Sequence, residues 1–107
     1  MTALLTNSGV STTHQFKRQL ENFCRVERIS TDETRQVGKT IVERVSQAHS
    51  GNVIFSPTGC KVPVSVRLEN DEIVKMLIVF DDVAPGCRAI QRILSARVVR
   101  QESGVTA

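Results

Sequence analysis

Four arginines crowd the C-terminal stretch of the chain: Arg88, Arg92, Arg97 and Arg100, against one acid, Glu102. A guanidinium stays charged at any ordinary pH and presents a planar fork of donors, so it suits phosphate oxygens and carboxylates alike. Immediately upstream the balance reverses. From Glu69 to Asp82 stand five acids (Glu69, Asp71, Glu72, Asp81 and Asp82) and one base, Lys75. The four arginines are therefore the candidate binding residues, for nucleic acid or for an acidic protein surface. Pairing with the chain's own acidic loops, or with those of a second copy, is the competing use.

Other reactive side chains are sparse. Asp81-Asp82 is the one paired carboxylate that merits weighing as a metal or acid–base site. Neighbours on a strand point to opposite faces, so the pair is expected to end a strand and enter a turn with Pro85-Gly86. Cys24, Cys60 and Cys87 are far apart, without a Cys-x-x-Cys. Structural zinc sites use close ligand pairs, so no metal is expected from these three with His49. His14 falls in a helix's first turn and His49 in a helix's last turn, where solvation and the helix dipole account for them. No Ser-His-Asp or Cys-His set, Gly-x-Gly-x-x-Gly or phosphate-cradling loop is present. The chain is expected to be no enzyme and to carry no cofactor.

A chain of 107 residues, 40% hydrophobic and 23% charged, makes one soluble domain with a modest core. The net charge of +3 is mildly basic. No apolar run nears the roughly 20 residues that span a bilayer, and the N-terminus lacks a signal-peptide pattern, so a cytoplasmic protein without membrane contact is expected. Residues 1–10 read as a flexible leader, 11–100 as a single domain and 101–107 as a flexible tail.

Thr12 with Gln15 matches a capping box, and Phe16, Leu20, Phe23 and Cys24 form one apolar stripe, predicting a helix from about Thr13 to Val26. Ser30 with Glu33 repeats the box. Val37, Ile41, Val45 and Ala48 predict a second helix ending near Ser50, with Gly51 as its left-handed terminator. Val53-Ile54-Phe55 reads as a short strand.

Val62, Val64, Val66 and Leu68 alternate with polar residues, and Ile73 to Phe80 is almost continuously apolar. These two runs predict a central hairpin whose second strand is covered on both faces. Pro63 marks the first strand as an edge or a bulge. Ile90, Leu94 and Val98 at i, i+4 and i+8 predict a C-terminal helix from Cys87 to about Val99, with a final strand at Arg97–Arg100 as the alternative. The expected fold is α+β: two N-terminal helices, a small antiparallel sheet of about three strands, and a C-terminal helix.

Glu43-Arg44-Val45-Ser46-Gln47-Ala48-His49, followed by a hairpin ending Val79-Phe80-Asp81-Asp82-Val83-Ala84-Pro85-Gly86, resembles part of the GHKL ATPase fold of anti-sigma-factor kinases, over about Thr13 to Gly86. The resemblance makes Glu43 the nearest match to the helical Glu that, with an Asn, holds Mg²⁺-ATP, and Asp82 the nearest match to the Asp of the strand-end Asp-x-Gly-x-Gly. Gln47 stands where that family has Asn, and Gly86 is the single glycine of its Asp-x-Gly-x-Gly that is present.

Without a catalytic constellation, the leading expectation is a small regulatory or adaptor protein that binds a protein partner, as a homodimer joined at a sheet edge. The alternative is a nucleic-acid-binding regulator using Arg88, Arg92, Arg97 and Arg100. There is no Trp and no Tyr to stack on bases, so such binding would run through arginines on phosphates.

Overall fold

The structure is a computed structural model and describes residues 9–100. The tail at 101–107 and most of the leader, 1–8, lie outside the described residues. The elements are β1 (Val10–Thr12), α1 (His14–Val26), α2 (Thr31–Gln47), β2 (Ile54–Ser56), β3 (Gly59–Arg67), β4 (Ile73–Ala84) and β5 (Cys87–Val99). One five-stranded sheet has the order β1-β5-β4-β3-β2, and both helices pack on one of its faces. The pairings are antiparallel except for β1 against β5, which is parallel, so the sheet is mixed.

Three expectations are overturned here: the sheet is mixed rather than antiparallel, and its strand number and the C-terminal helix change as well. The sheet has five strands rather than about three, and residues 87–99 form β5, not a helix. The cause is visible in the register. Ile90 pairs with Phe80, Arg92 with Val79, Ile93 with Ile78 and Ser95 with Leu77. Gln91 and Leu94 are thus extra residues on β5, two bulges that each shift the alternation by one. The residues facing the helices become Ile90, Ile93, Ala96 and Val98, with spacings of three, three and two. That mixture imitates a helical stripe, but Leu94 is 43% exposed while Ile90 is fully buried.

The helices form for the reasons their patterns suggest. Phe16, Leu20 and Cys24 of α1 and Val37, Ile41 and Val45 of α2 are buried against the sheet. The cap of α1 is Thr13 rather than Thr12: its hydroxyl accepts from Phe16 N–H at 3.1 Å and donates to the Gln91 carbonyl at 2.7 Å. A left-handed Arg28 closes α1, with Ile29 N–H on the Cys24 carbonyl at 2.8 Å. Ser30 caps α2 through Glu33 N–H at 3.1 Å. The Glu33 carboxylate reaches instead to Glu69 N–H at 2.7 Å, tying α2 to the β3–β4 turn.

The second helix stops at Gln47, short of Ser50, and Gly51 is not its terminator. Ala48 is extended, and the Arg88 guanidinium takes over the exposed carbonyls. His49 Nδ1 accepts from Gly51 N–H at 3.2 Å in the loop that follows.

Gln19 joins α1 to β5 beside the Leu94 bulge. Its amide accepts from Ile93 N–H at 2.7 Å and donates to the Ile93 carbonyl at 3.3 Å. Gln19→Ala should therefore lower stability by about 1–2 kcal/mol, read as a lower urea midpoint at unchanged slope. An unchanged midpoint would show that solvent serves Ile93 equally well.

The middle strand, β4, is covered by helices on one face alone. Val74, Met76, Ile78 and Phe80 point to the helices and are buried. Ile73 and Leu77, on the other face, are half-buried. Val79 is buried but stands apart from the main core cluster. The expectation of a strand covered on both faces is corrected: the apolar run of β4 leaves part of its surface on an open sheet face.

Candidate functional site

Cross-strand partners share a face, so the register defines the open side of the sheet. Across β3, β4 and β5 it runs in rows: Lys61–Val79–Arg92, Pro63–Leu77–Ser95, Ser65–Lys75–Arg97 and Arg67–Ile73–Val99. Asp81, paired with Ala89, lies beyond the first row. The strand residues of this face thus carry five cations (Lys61, Arg67, Lys75, Arg92 and Arg97) and one acid. The whole chain has 14 basic and 11 acidic residues, so the positive excess is concentrated here.

None of these five cations makes an ion pair among the described residues. Lys61 Nζ donates to the Ser56 hydroxyl at 2.9 Å, and Asp81 accepts from the Gln91 amide at 3.0 Å. Lys75 and Arg97 are direct partners on neighbouring strands. Their Cα atoms are then about 4.5–5.5 Å apart, and like charges so placed oppose folding. The fold keeps a repulsive pair that nothing inside the described chain neutralises.

The four arginines singled out from sequence divide into two pairs. Arg92 and Arg97 belong to the open face. Arg88 faces the helix side: its Nε meets Asp82 at 2.8 Å, its Nη1 the carbonyls of Val45 at 2.6 Å and Ala48 at 2.8 Å. Its guanidinium lies over the Phe80 ring, 5.0 Å from the centroid. Arg100 bonds Glu72 at 2.7 Å and approaches Glu27 at 3.7 Å. Arg88 and Arg100 are thus taken by the chain's own acids. Sequence reading missed Lys61, Arg67 and Lys75. The signal for the first two was present, because both fall on the polar phase of β3, opposite Val62, Val64 and Val66.

The remaining candidates separate. Asp81 and Asp82 point to opposite faces, toward Gln91 and Arg88. Glu43, the acid matched in the ATPase resemblance, is exposed on α2. No three His, Cys, Asp or Glu side chains among the described residues stand close enough to hold a metal ion. A concavity of about 590 Å³ lies between α1 and α2 and includes Leu20, Cys24, Ile29, Thr34 and Gly38. Burial pushes the Cys24 thiol up from its ordinary range, against an opposing hydrogen bond with Thr34, so it stays a thiol rather than a nucleophilic thiolate. Cys60 is pushed up by burial and then by Asp82 and Asp81, with Arg88 pulling the other way.

Among the described residues no helix is long and apolar enough to cross a membrane. The chain matches no family model, no curated protein and no solved structure.

Proposed function

We propose that the protein is a non-enzymatic binding protein whose open sheet face docks the phosphate backbone of nucleic acid. The observation that carries this reading is the Lys75–Arg97 pair: two cations set against each other, beside three more, with no acid of the described chain engaging them. A polyanion turns that repulsion into attraction and releases its own counterions on binding. Three free cysteines, one buried and one half-buried, support a reducing cytoplasmic setting.

The adaptor reading, a protein partner held by a homodimer, has weaker support. β2 pairs only with Gly59–Lys61, leaving Val62–Arg67 as sheet edge on that side. That edge carries Pro63, which has no N–H to offer a second chain. Two copies stacked through their open faces would set five cations against five.

The test is fluorescence anisotropy with labelled nucleic acid across a salt series. Each phosphate contact contributes about 0.9 to the slope of log K against log salt for duplex DNA. Lys75→Ala with Arg97→Ala is expected to weaken binding about tenfold or more and to flatten the slope by about 1.8. Lys75→Thr alone should stabilise the fold by up to about 0.5 kcal/mol while weakening binding, because it removes a like-charge pair and adds a better strand former. Absence of binding to duplex and single strand alike at low salt would refute the reading.

A further inference from the structure

We infer that the open face binds double-helical rather than single-stranded nucleic acid, and that it does so with little choice of sequence. This rests on the nucleic-acid reading above and adds the form of the ligand.

Among the described residues the open face has no aromatic stacking surface. Proteins that bind single strands draw about 1–3 kcal/mol per base from aromatic side chains under the bases. This chain has four Phe and neither Trp nor Tyr. Phe16 and Phe80 are buried, and Phe23 packs partly buried against the core. Phe55 is 63% exposed, but it pairs with Cys60 and so lies on the side opposite Lys61. Unpaired bases would meet Leu77, Pro63 and Ser95. A duplex needs no such platform, because its bases remain stacked on one another.

The charges of the face are spaced in rows. Lys61 and Arg92 flank Val79 in one row, and Lys75 and Arg97 stand together in another. Four residues separate the rows along β4, or about 13 Å at roughly 3.3 Å per residue. The row between them, Pro63–Leu77–Ser95, carries no charge, and a shallow depression of about 190 Å³ lies beside it. These two rows, with Arg67 one row beyond the second, suit the two phosphate banks of a groove about 12 Å wide.

The face is also poor in groups that read sequence. Base edges are read by paired donors and acceptors, such as the amides of Asn and Gln. Pro63 and Leu77 offer no polar side-chain atom, and Ser95 offers a single hydroxyl that suits any base. The Gln91 amide nitrogen is engaged by Asp81. What remains are the lysines and arginines, whose contacts to phosphates position without specifying; an arginine turned onto a guanine edge would instead show as a difference between the two DNA duplexes tested below.

The experiment compares four labelled probes of about 20 nucleotides or base pairs at about 50 mM salt: two DNA duplexes of unrelated sequence, one RNA duplex and single-stranded oligo(dT). At least one duplex type should bind about tenfold or more tightly than oligo(dT). The two DNA duplexes should agree within about threefold. Row variants, Lys61→Ala with Arg92→Ala and Lys75→Ala with Arg97→Ala, should each flatten the duplex salt slope by about 1.8. Circular dichroism on both variants separates lost contacts from lost fold. Oligo(dT) binding as tightly as the duplexes would overturn the inference and leave the nucleic-acid reading standing. A slope that responds to one row alone would overturn the two-bank arrangement. No binding to any probe would overturn both.

Discussion

Replacing Arg88 with alanine should destabilise the protein by about 2–4 kcal/mol and leave duplex affinity of the folded variant within about twofold. Arg88 is the pin between α2 and the sheet. Helix α2 ends without a glycine cap: from the backbone the Val45 carbonyl accepts only a long bond, from Ala48 N–H at 3.3 Å, and the Ala48 carbonyl relies on Arg88. The guanidinium supplies two donors to Val45 and Ala48, and a positive group at a helix C-terminus is favoured by the dipole as well. Hydrogen bonds from a charged donor are worth about 1.5–3 kcal/mol, and the bond partners left behind are partly buried. The ion pair with Asp82 adds little, because that carboxylate side chain is 53% exposed and Arg88 itself 24% exposed. Contact with the Phe80 ring adds about 0.5–1 kcal/mol.

Arg88→Lys keeps the charge without the fork, so it should recover less than half of the loss. Urea denaturation measures both variants. Arg92→Ala should show the reverse pattern, nearly normal stability and a weaker, less salt-sensitive complex. A stable Arg88→Ala protein that fails to bind would return Arg88 to the binding surface and break the division of the four arginines.

That division shows what a local pattern can carry. On a helix, Arg88 and Arg92 stand four residues apart and share a face. On β5 they are separated to opposite sides by the extra residue Gln91. Nothing in the stretch 87–99 announces two bulges, since each is defined by pairing with β4. The stripes of α1 and α2 were readable because they are continuous and the cap hydroxyls lie within three residues of the N–H groups that donate to them. The end of α2 was not readable, because the group that caps it lies 43 residues beyond Val45. Strand β1 was hidden for the same reason: three residues, Val10–Thr12, whose only pairing is with Arg88–Ile90 at the far end of the chain. Gly9 marks that approach. It has φ +80°, and a Cβ there would sit 2.0 Å from the Gly86 carbonyl oxygen. The basic face followed the same rule. Its members are spread over three strands, and only the register brings Lys75 beside Arg97.

Phe80→Ala should cost about 3–5 kcal/mol, the largest loss expected from any single side chain here, while Leu77→Ala, three residues earlier on the same strand, should cost under about 1.5 kcal/mol. Both belong to one apolar run, and sequence alone treats them alike. Phe80 lies on the helix side at 1% exposure, between Cys60 of β3 and Ile90 of β5, with the Arg88 guanidinium over its ring. Its removal opens a cavity in the middle strand that neighbours held by long strand pairings on both sides cannot collapse to fill. Leu77 lies on the open face, half-buried beside Pro63 and Ser95, where solvent fills whatever the truncation vacates.

The two substitutions also read the coupling between core and helix pin. Arg88→Ala in a Phe80→Leu background should cost about 0.5–1 kcal/mol less than in the parent, because the ring contact is already gone. Equal costs for Phe80→Ala and Leu77→Ala would mean that both faces of β4 are covered in solution. The basic face would then be an internal surface, unavailable to any duplex.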